Sequence, residues 1–360
     1  MKKLKVCVYA ICKNEEKFAG RFVKNLTDAD LVAVLDTGST DNTVQILKDS
    51  GAVVYQSKPA PFRFDRARNQ CLKRLPRDID VCISMDMDEV LEEGWRGHLE
   101  RAWERGVTTR GLYLYNWKMG RDNLPLVQYT HERIHARHGY TWVYPTHEVL
   151  KYKSRKKEKI VFIKGLVNNH YPDGDKDRGF NLDLLKLAVR EDPTPRNLHY
   201  LGREYMFRGL WDDCIETLNQ YLSHPKAAWA EERSASMRFI ARAYKNKGAY
   251  GEAKRWLFRA IGEYPAVREP YVEAALLFDR EKNYAATNFF ALEALKITEK
   301  SLSYANEAFS WDATPYDLAA VSSYYLGQKA RALEYSGKAL ELSPGDARLT
   351  DNHKFYMDSI

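Results

Sequence analysis

The sequence predicts two parts, an α/β domain built on a mostly parallel sheet and an all-α domain of helical hairpin repeats. In the first part, short β-branched apolar runs alternate with helix-like stretches, the pattern of strands joined by crossover helices. From about Asp177 strand-like runs stop, and pairs of helices rich in alanine, leucine and aromatic residues follow one another to the C-terminus. The boundary is placed between residues 176 and 177, giving domains 1–176 and 177–360.

The expected elements of the first domain can be taken in order. Strands run over Leu4–Ile11, Leu31–Leu35, Val53–Tyr55 and Val81–Met85, each read as buried on both faces. Helices run over Phe18–Leu26, Thr43–Ser50 (ended by Gly51) and Arg66–Leu75, and a further one is expected over Val90–Arg105. In parallel sheets ligands bind beyond the carboxyl ends of the strands, so "CKNEE", "DTGSTDNT" and "DMDE", which each follow a strand, are expected to line one crevice. Gly38 permits a tight turn, Thr40 or Asp41 can cap the helix that follows, and that helix N-terminus favours an anion.

In the second domain Trp211, Tyr250 and Tyr284 recur at spacings near the roughly 34 residues of a tetratricopeptide repeat. "GLWDDCIETLNQYL" and "GAYGEAKRWLFRAI" resemble that repeat most closely, and Ser301–Thr314 is an irregular insertion. Such repeats stack and offer a surface to a partner, to another copy of the chain, or simply to the neighbouring domain.

Composition narrows the classes. The chain has 360 residues, 44% of them hydrophobic, enough for two ordinary cores. No apolar segment approaches the roughly 20 residues needed to span a bilayer, and the opening "MKKLKVCVYAICKNEE" reads as a strand and not as a signal peptide. Five cysteines, Cys7, Cys12, Cys71, Cys82 and Cys214, form no C-x-x-C pair, which suits a reducing compartment and assigns the chain to the cytoplasm. The net charge is +7, part of it in "KYKSRKKEK", Lys151–Lys159, a solvated loop or a site for an acidic partner such as lipid headgroups or sugar phosphates. With only Tyr152 nearby, it lacks the aromatic platform of a nucleic-acid site.

The densest chemical signal is "VCISMDMDEVLEEGW", where an apolar strand ends in Asp86, Asp88 and Glu89. Carboxylates this close repel unless a cation or a set of donors compensates. A divalent metal that also holds substrate phosphates would do so, and a solvated acidic turn capping a helix is the other reading.

Taken together, "ICKNEE", "DTGSTDNT", "RARNQCL" and "SMDMDEVL" resemble the metal-dependent glycosyltransferases of family two, whose sheet is the GT-A fold. With the repeats that follow, the chain resembles the group that includes the sublancin S-glycosyltransferase, and its front motifs also resemble lipopolysaccharide-core β-glucosyltransferases. The resemblance implies roles for individual residues. Asp36 looks like the aspartate that contacts the nucleotide base, and Arg68 like the basic residue beside the nucleotide and diphosphate. Asp86 and Asp88 match the D-x-D motif, with Asp86 near the ribose and Asp88 a ligand of Mn²⁺ or Mg²⁺. His170 is a metal or diphosphate ligand or a structural histidine. In "RIHARHGYTWVYPTHEVL" the His-Glu pair points to Glu148 as general base, with His147 as its neighbour or substitute; His131, His135 and His138 lie in the same region. Cys12 and Met87 depart from the usual pattern at positions that do not ligate.

The expected function is therefore inverting transfer of a hexose from a UDP-sugar to a peptide or protein side chain through a hydroxyl or thiol. The alternatives are transfer to a lipopolysaccharide-core or other glycan, and an inactive scaffold that binds partners through its repeats. The repeats would bind the acceptor, form a homodimer, or both.

Overall fold

The computed structural model describes residues 3–120, 123–173, 179 and 181–360. The chain divides into two compact units, Met1–Ala188 and Val189–Ile360. The boundary expected between residues 176 and 177 lies outside the described residues.

The first unit opens with β1 (Val6–Cys12), α1 (Glu16–Asn25), β2 (Leu31–Asp36), α2 (Thr43–Asp49), β3 (Val53–Gln56), α3 (Phe64–Arg74) and β4 (Val81–Ser84). β1 is buried along its whole length. Its side chains alternate, so Val6, Val8 and Ala10 pack with Phe18, Phe22 and Leu47 of α1 and α2, while Cys7, Tyr9 and Ile11 pack with Ala67, Cys71 and Leu72 of α3. β1 lies between β2 and β4, parallel to both. Among the described residues β3 pairs only with β2, and its Val53 is 42% exposed, so the expectation of burial on both faces fails at this edge strand.

The helix expected over Val90–Arg105 is shorter. Residues Glu89–Leu91 form β5, Gly94 turns the chain at φ 79°, and α4 covers Trp95–Ala102. The cause is tertiary: Asn25 of α1 bonds both the Leu91 N–H (2.8 Å) and the Leu91 carbonyl (2.9 Å), and β5 pairs with a strand from much later in the chain. The expectations above also pass over five strands: β6 (Arg110–Met119), β7 (Pro125–Ala136), β8 (Tyr140–Val143), β9 (Val149–Tyr152) and β10 (Ile160–His170). Charged and polar residues interrupt them, as in "YTHERIHA", and the apolar stretches that remain, such as "IVFI" of β10, are short.

The main sheet has eight strands in the order β3-β2-β1-β4-β7-β6-β10-β5. It is mixed: β7 is antiparallel to both β4 and β6, β10 is parallel to β6, and β5 pairs antiparallel with the last three residues of β10. β8 and β9 form a separate hairpin.

The second unit is a series of helix pairs: α6 (Pro195–Phe207) with α7 (Trp211–Ser223), α8 (Ala230–Asn246) with α9 (Tyr250–Glu263), α10 (Glu269–Arg280) with α11 (Tyr284–Lys296), and α12 (Thr314–Tyr325) with α13 (Lys329–Leu342). α5 (Asn181–Glu191), most of which belongs to the first unit, precedes them and α14 (Ala347–Asp358) follows. Trp211, Tyr250 and Tyr284 each open the second helix of a pair. Two residues before each stand Gly209, Gly248 and Lys282, all with positive φ, and Gly327 repeats the position in the last pair. Glycine suits this left-handed turn, and Lys282 holds it at φ 58° without that freedom. Gly202 shows how closely a pair packs: a Cβ there would lie 2.4 Å from Cδ2 of Leu218. These are tetratricopeptide-type hairpins.

The insertion between α11 and α12 lies across the first helices of two repeats. Tyr304 bonds Glu232, Glu307 pairs with Arg238 and Arg242, and the Trp311 indole donates to Glu269 at 3.1 Å. Part of the face that repeats often offer to partners is therefore filled by the chain itself at α8 and α10.

Candidate active site

The crevice lies where β1, β2 and β4 end. The first two loops are built from each other. Asn14, at φ 54°, donates its N–H to Ser39 Oγ (2.8 Å) and accepts the Thr40 N–H on Oδ1 (2.8 Å). The Glu15 N–H meets Thr43 Oγ1 at 2.7 Å, and Asp41 Oδ1 accepts the Thr43 N–H at 3.0 Å, so Asp41 serves the start of α2 as expected. "CKNEE" and "DTGSTDNT" occur together because each satisfies the other's backbone.

Asp36 is 1% exposed at the tip of β2. Its carboxylate accepts N–H groups from Gly38 (3.2 Å) and Ser39 (3.1 Å) and the Ser39 hydroxyl (2.5 Å). It thus shapes the loop that it begins. Gly38 stands at φ 115°, where an added Cβ would meet Cε of Lys58 at 3.0 Å. We expect Gly38→Ala to cost about 1–2 kcal/mol by urea denaturation, since the strain falls on a turn whose N–H groups are already committed. An unchanged midpoint would show that the turn relaxes freely.

At the end of β4 the three carboxylates part company. Glu89 is fully buried and turned inward, accepting the Asp86 N–H (3.1 Å), Asn168 Nδ2 (2.9 Å) and the Tyr115 hydroxyl (2.8 Å). Burial first, and then the neighbouring Asp86 charge, push its pKa up. Asp86 lies between two guanidinium groups, with Arg68 Nη2 at 2.5 Å from Oδ1 and Arg133 Nη1 at 2.7 Å from Oδ2. Burial opposes its charge, but Arg133 and Arg68 outweigh that and hold the carboxyl well below the usual range. Arg68, on α3 and 2% exposed, also donates Nη1 to Ser84 Oγ (3.0 Å) and Nε to Glu148 Oε1 (2.5 Å). Its guanidinium lies 5.2 Å from the Trp142 ring. Charge therefore alternates along Arg133, Asp86, Arg68 and Glu148, and Arg68 is committed to this chain.

Asp88 meets a residue far away in sequence. The pairing of β5 with β10 sets His170 opposite Glu89, which places His170 Nε2 at 3.3 Å from Asp88 Oδ2. The Tyr171 N–H bonds the Asp88 carbonyl at 2.9 Å, fixing this junction. His170 lies under Tyr115 and Trp117, and its Nδ1 is buried with no hydrogen-bond partner among the described residues.

Residues 7–156 match the family model described as "Glycosyl transferase family 2". Residues 7–156 are a family two glycosyltransferase domain. No curated protein matches the chain. Among solved structures, a tetratricopeptide repeat protein from Parabacteroides merdae is 19% identical over 49% of this chain and 66% of its own, with a TM-score of 0.37. A structure described as MamA protein is 21% identical over 46% of this chain and 83% of its own, with a TM-score of 0.36. These likenesses are loose, and the repeat architecture rests on the helix pairs themselves.

Within the family two domain the histidines expected near the base separate clearly. His147 is exposed, at φ 47°, while its neighbour Glu148 is 9% exposed and turned to Arg68. His138 Nε2 lies 3.0 Å from the Arg77 carbonyl, and His131 packs among Tyr113, Tyr115 and Tyr129. His135 is fully buried, with Nδ1 2.8 Å from the Ala136 carbonyl and Nε2 2.9 Å from the Tyr9 hydroxyl, which in turn accepts Trp142 Nε1 at 2.7 Å. It is a core histidine.

Burial lowers the His135 pKa to about 3. The unfolded chain, titrating near 6.5, then binds more protons than the folded one between those values. Stability should fall as pH drops below about 6.5, by up to roughly 1.4 kcal/mol per unit from this group. Denaturation of wild type and His135→Gln at pH 7 and pH 4.5 should show a shallower pH slope in the variant; equal slopes would remove His135 as the cause.

Arg133, Ser84 and Asn168 escape the reading of the sequence. Arg133 sits in an alternating strand where an arginine looks like a solvent-facing residue, and only the pairing of β7 with β4 turns it toward Asp86.

Proposed function

We propose that this chain is an inverting, metal-dependent glycosyltransferase that moves a hexose from a UDP-sugar to the side chain of a peptide or protein. The observation that carries the reading is the meeting of Asp88 Oδ2 and His170 Nε2, 3.3 Å apart, beside the Asp86–Arg68 pair at the crevice. A carboxylate oxygen and an imidazole nitrogen are donors that fit Mn²⁺ or Mg²⁺. No third His, Cys, Asp or Glu joins them among the described residues, which suits an ion completed by diphosphate oxygens and water. Such an ion neutralises charge growing on a departing diphosphate.

The remaining work belongs to the chain's own side chains. The Asp36 loop and Asp86 receive the nucleoside, with Arg68 holding Asp86 ionised and aimed from beneath. Glu148 takes the proton of the acceptor hydroxyl or thiol as that group attacks the anomeric carbon from the face opposite the diphosphate. Its Oε1 is anchored by Arg68, while Oε2 makes no hydrogen bond among the described residues and is available to the proton. His147, exposed beside it, is the substitute. The five cysteines are all free and buried, which agrees with a cytoplasmic, reducing setting.

One observation favours the second acceptor class. The insertion at Tyr304 and Glu307 covers part of the repeat face that would hold a polypeptide, which leaves a glycan acceptor as the alternative. The test is UDP release from a panel of UDP-sugars with Mn²⁺ and then with EDTA. Metal-dependent turnover of one donor is the expected result. No turnover and no thermal shift with any donor would overturn the reading in favour of a binding scaffold, possessing repeats but no activity.

A further inference from the structure

We propose that the end of the sheet opposite the crevice is a docking surface for an anionic membrane. β10 is parallel to β6, which runs in the same sense as β4, so Ile160 lies at the N-terminal end of the sheet and His170 at the crevice. Ile160 pairs with Arg110 and Asn169 with Asn116, so the span of β6 between them, six residues at ~3.3 Å each, sets these two ends roughly 20 Å apart.

Lys151 in β9 and Lys153, Arg155, Lys156, Lys157 and Lys159 in the connection from β9 into β10 are all exposed, and none is ion-paired among the described residues. The acid among them, Glu158, is taken by Arg110 Nε and the Tyr140 hydroxyl, each at 2.7 Å. The positive charge is thus uncompensated. Beside it Ile160 and Phe162, alternate residues on one side of β10, are 47% and 48% exposed. Cations beside projecting apolar side chains suit a lipid interface, where charge draws the protein to anionic headgroups and the apolar groups enter the boundary. A single-stranded nucleic acid would use the same cations but stacks successive bases on several aromatic faces; here the Tyr152 ring is packed 5.0 Å from Tyr140, and the exposed Phe162 stands beside an aliphatic Ile160, which suits the lipid boundary.

This inference rests on no part of the catalytic reading. The full chain should co-sediment with vesicles of phosphatidylcholine and phosphatidylglycerol, not with phosphatidylcholine alone, and less at high salt. Lys156→Glu/Lys157→Glu should weaken that partition about tenfold or more, and Phe162→Ser about threefold. The circular dichroism spectrum and the thermal midpoint should be unchanged. Absence of binding to anionic vesicles, or binding indifferent to charge reversal, would overturn the proposal. So would charge-dependent binding of a single-stranded RNA by a protein that ignores the vesicles.

Discussion

Asp88→Asn is expected to abolish Mn²⁺-dependent UDP release, lowering it roughly a hundredfold or more while the fold survives. Asparagine keeps the shape of the side chain and the Tyr171 bond to the Asp88 carbonyl is unaffected, so the change isolates the lost charge. Asp88 is 9% exposed and lies next to His170, so no nearby carboxylate can take its place: Glu89 is caged by Asn168 and Tyr115, and Asp86 is held by two arginines. His170→Gln should raise the Mn²⁺ concentration needed for half-maximal turnover by about 10–100-fold and leave saturated turnover closer to wild type. Metal dependence untouched by either substitution would remove both residues as ligands.

Arg68→Met should have the largest effect on stability. It strands the buried Glu148 opposite a methionine, while the partly exposed Asp86 keeps Arg133, and removing one partner of a buried ion pair typically costs about 3–5 kcal/mol. For a unit of this size that corresponds to a fall in Tm of roughly 6–20 °C. Arg68→Lys should recover little, because three separate nitrogens of Arg68 serve Glu148, Ser84 and Asp86, and an ammonium cannot span them. Adding Glu148→Gln to Arg68→Met should restore part of the loss, since one stranded charge disappears; strict additivity would show that the pair is not coupled. The sign with pH follows from Asp86. Its folded pKa lies below its unfolded value of about 3.9, so its contribution is present above that value and lost as pH falls toward the folded one. Arg68→Met should shrink this acid-sensitive share.

Local chemistry was enough for much of the first unit and for the repeats. Runs such as "LVAVL" are buried on both faces, and that burial selects apolar β-branched residues one after another. Gly51 at φ 96°, and Trp211, Tyr250 and Tyr284 opening the second helices, are likewise local signals, because the turn and the helix start are made within a few residues. The crowding of Asp86, Asp88 and Glu89 also announced a partner, since repulsion between neighbours needs no fold to be recognised. Which partner each carboxylate receives was settled only by long-range pairing. β5 against β10 brings His170 to Asp88, β7 against β4 brings Arg133 to Asp86, and Asn168 and Tyr115 enclose Glu89 from strands much later in the chain. The five strands after residue 106 were missed for the same reason: their alternation of aromatic residues with charge becomes decisive only when a neighbouring strand buries one side. Arg68 joins the two levels, legible in "RARN" as a cation near the site, yet given its place between Glu148 and Asp86 by the packing of α3 on the sheet.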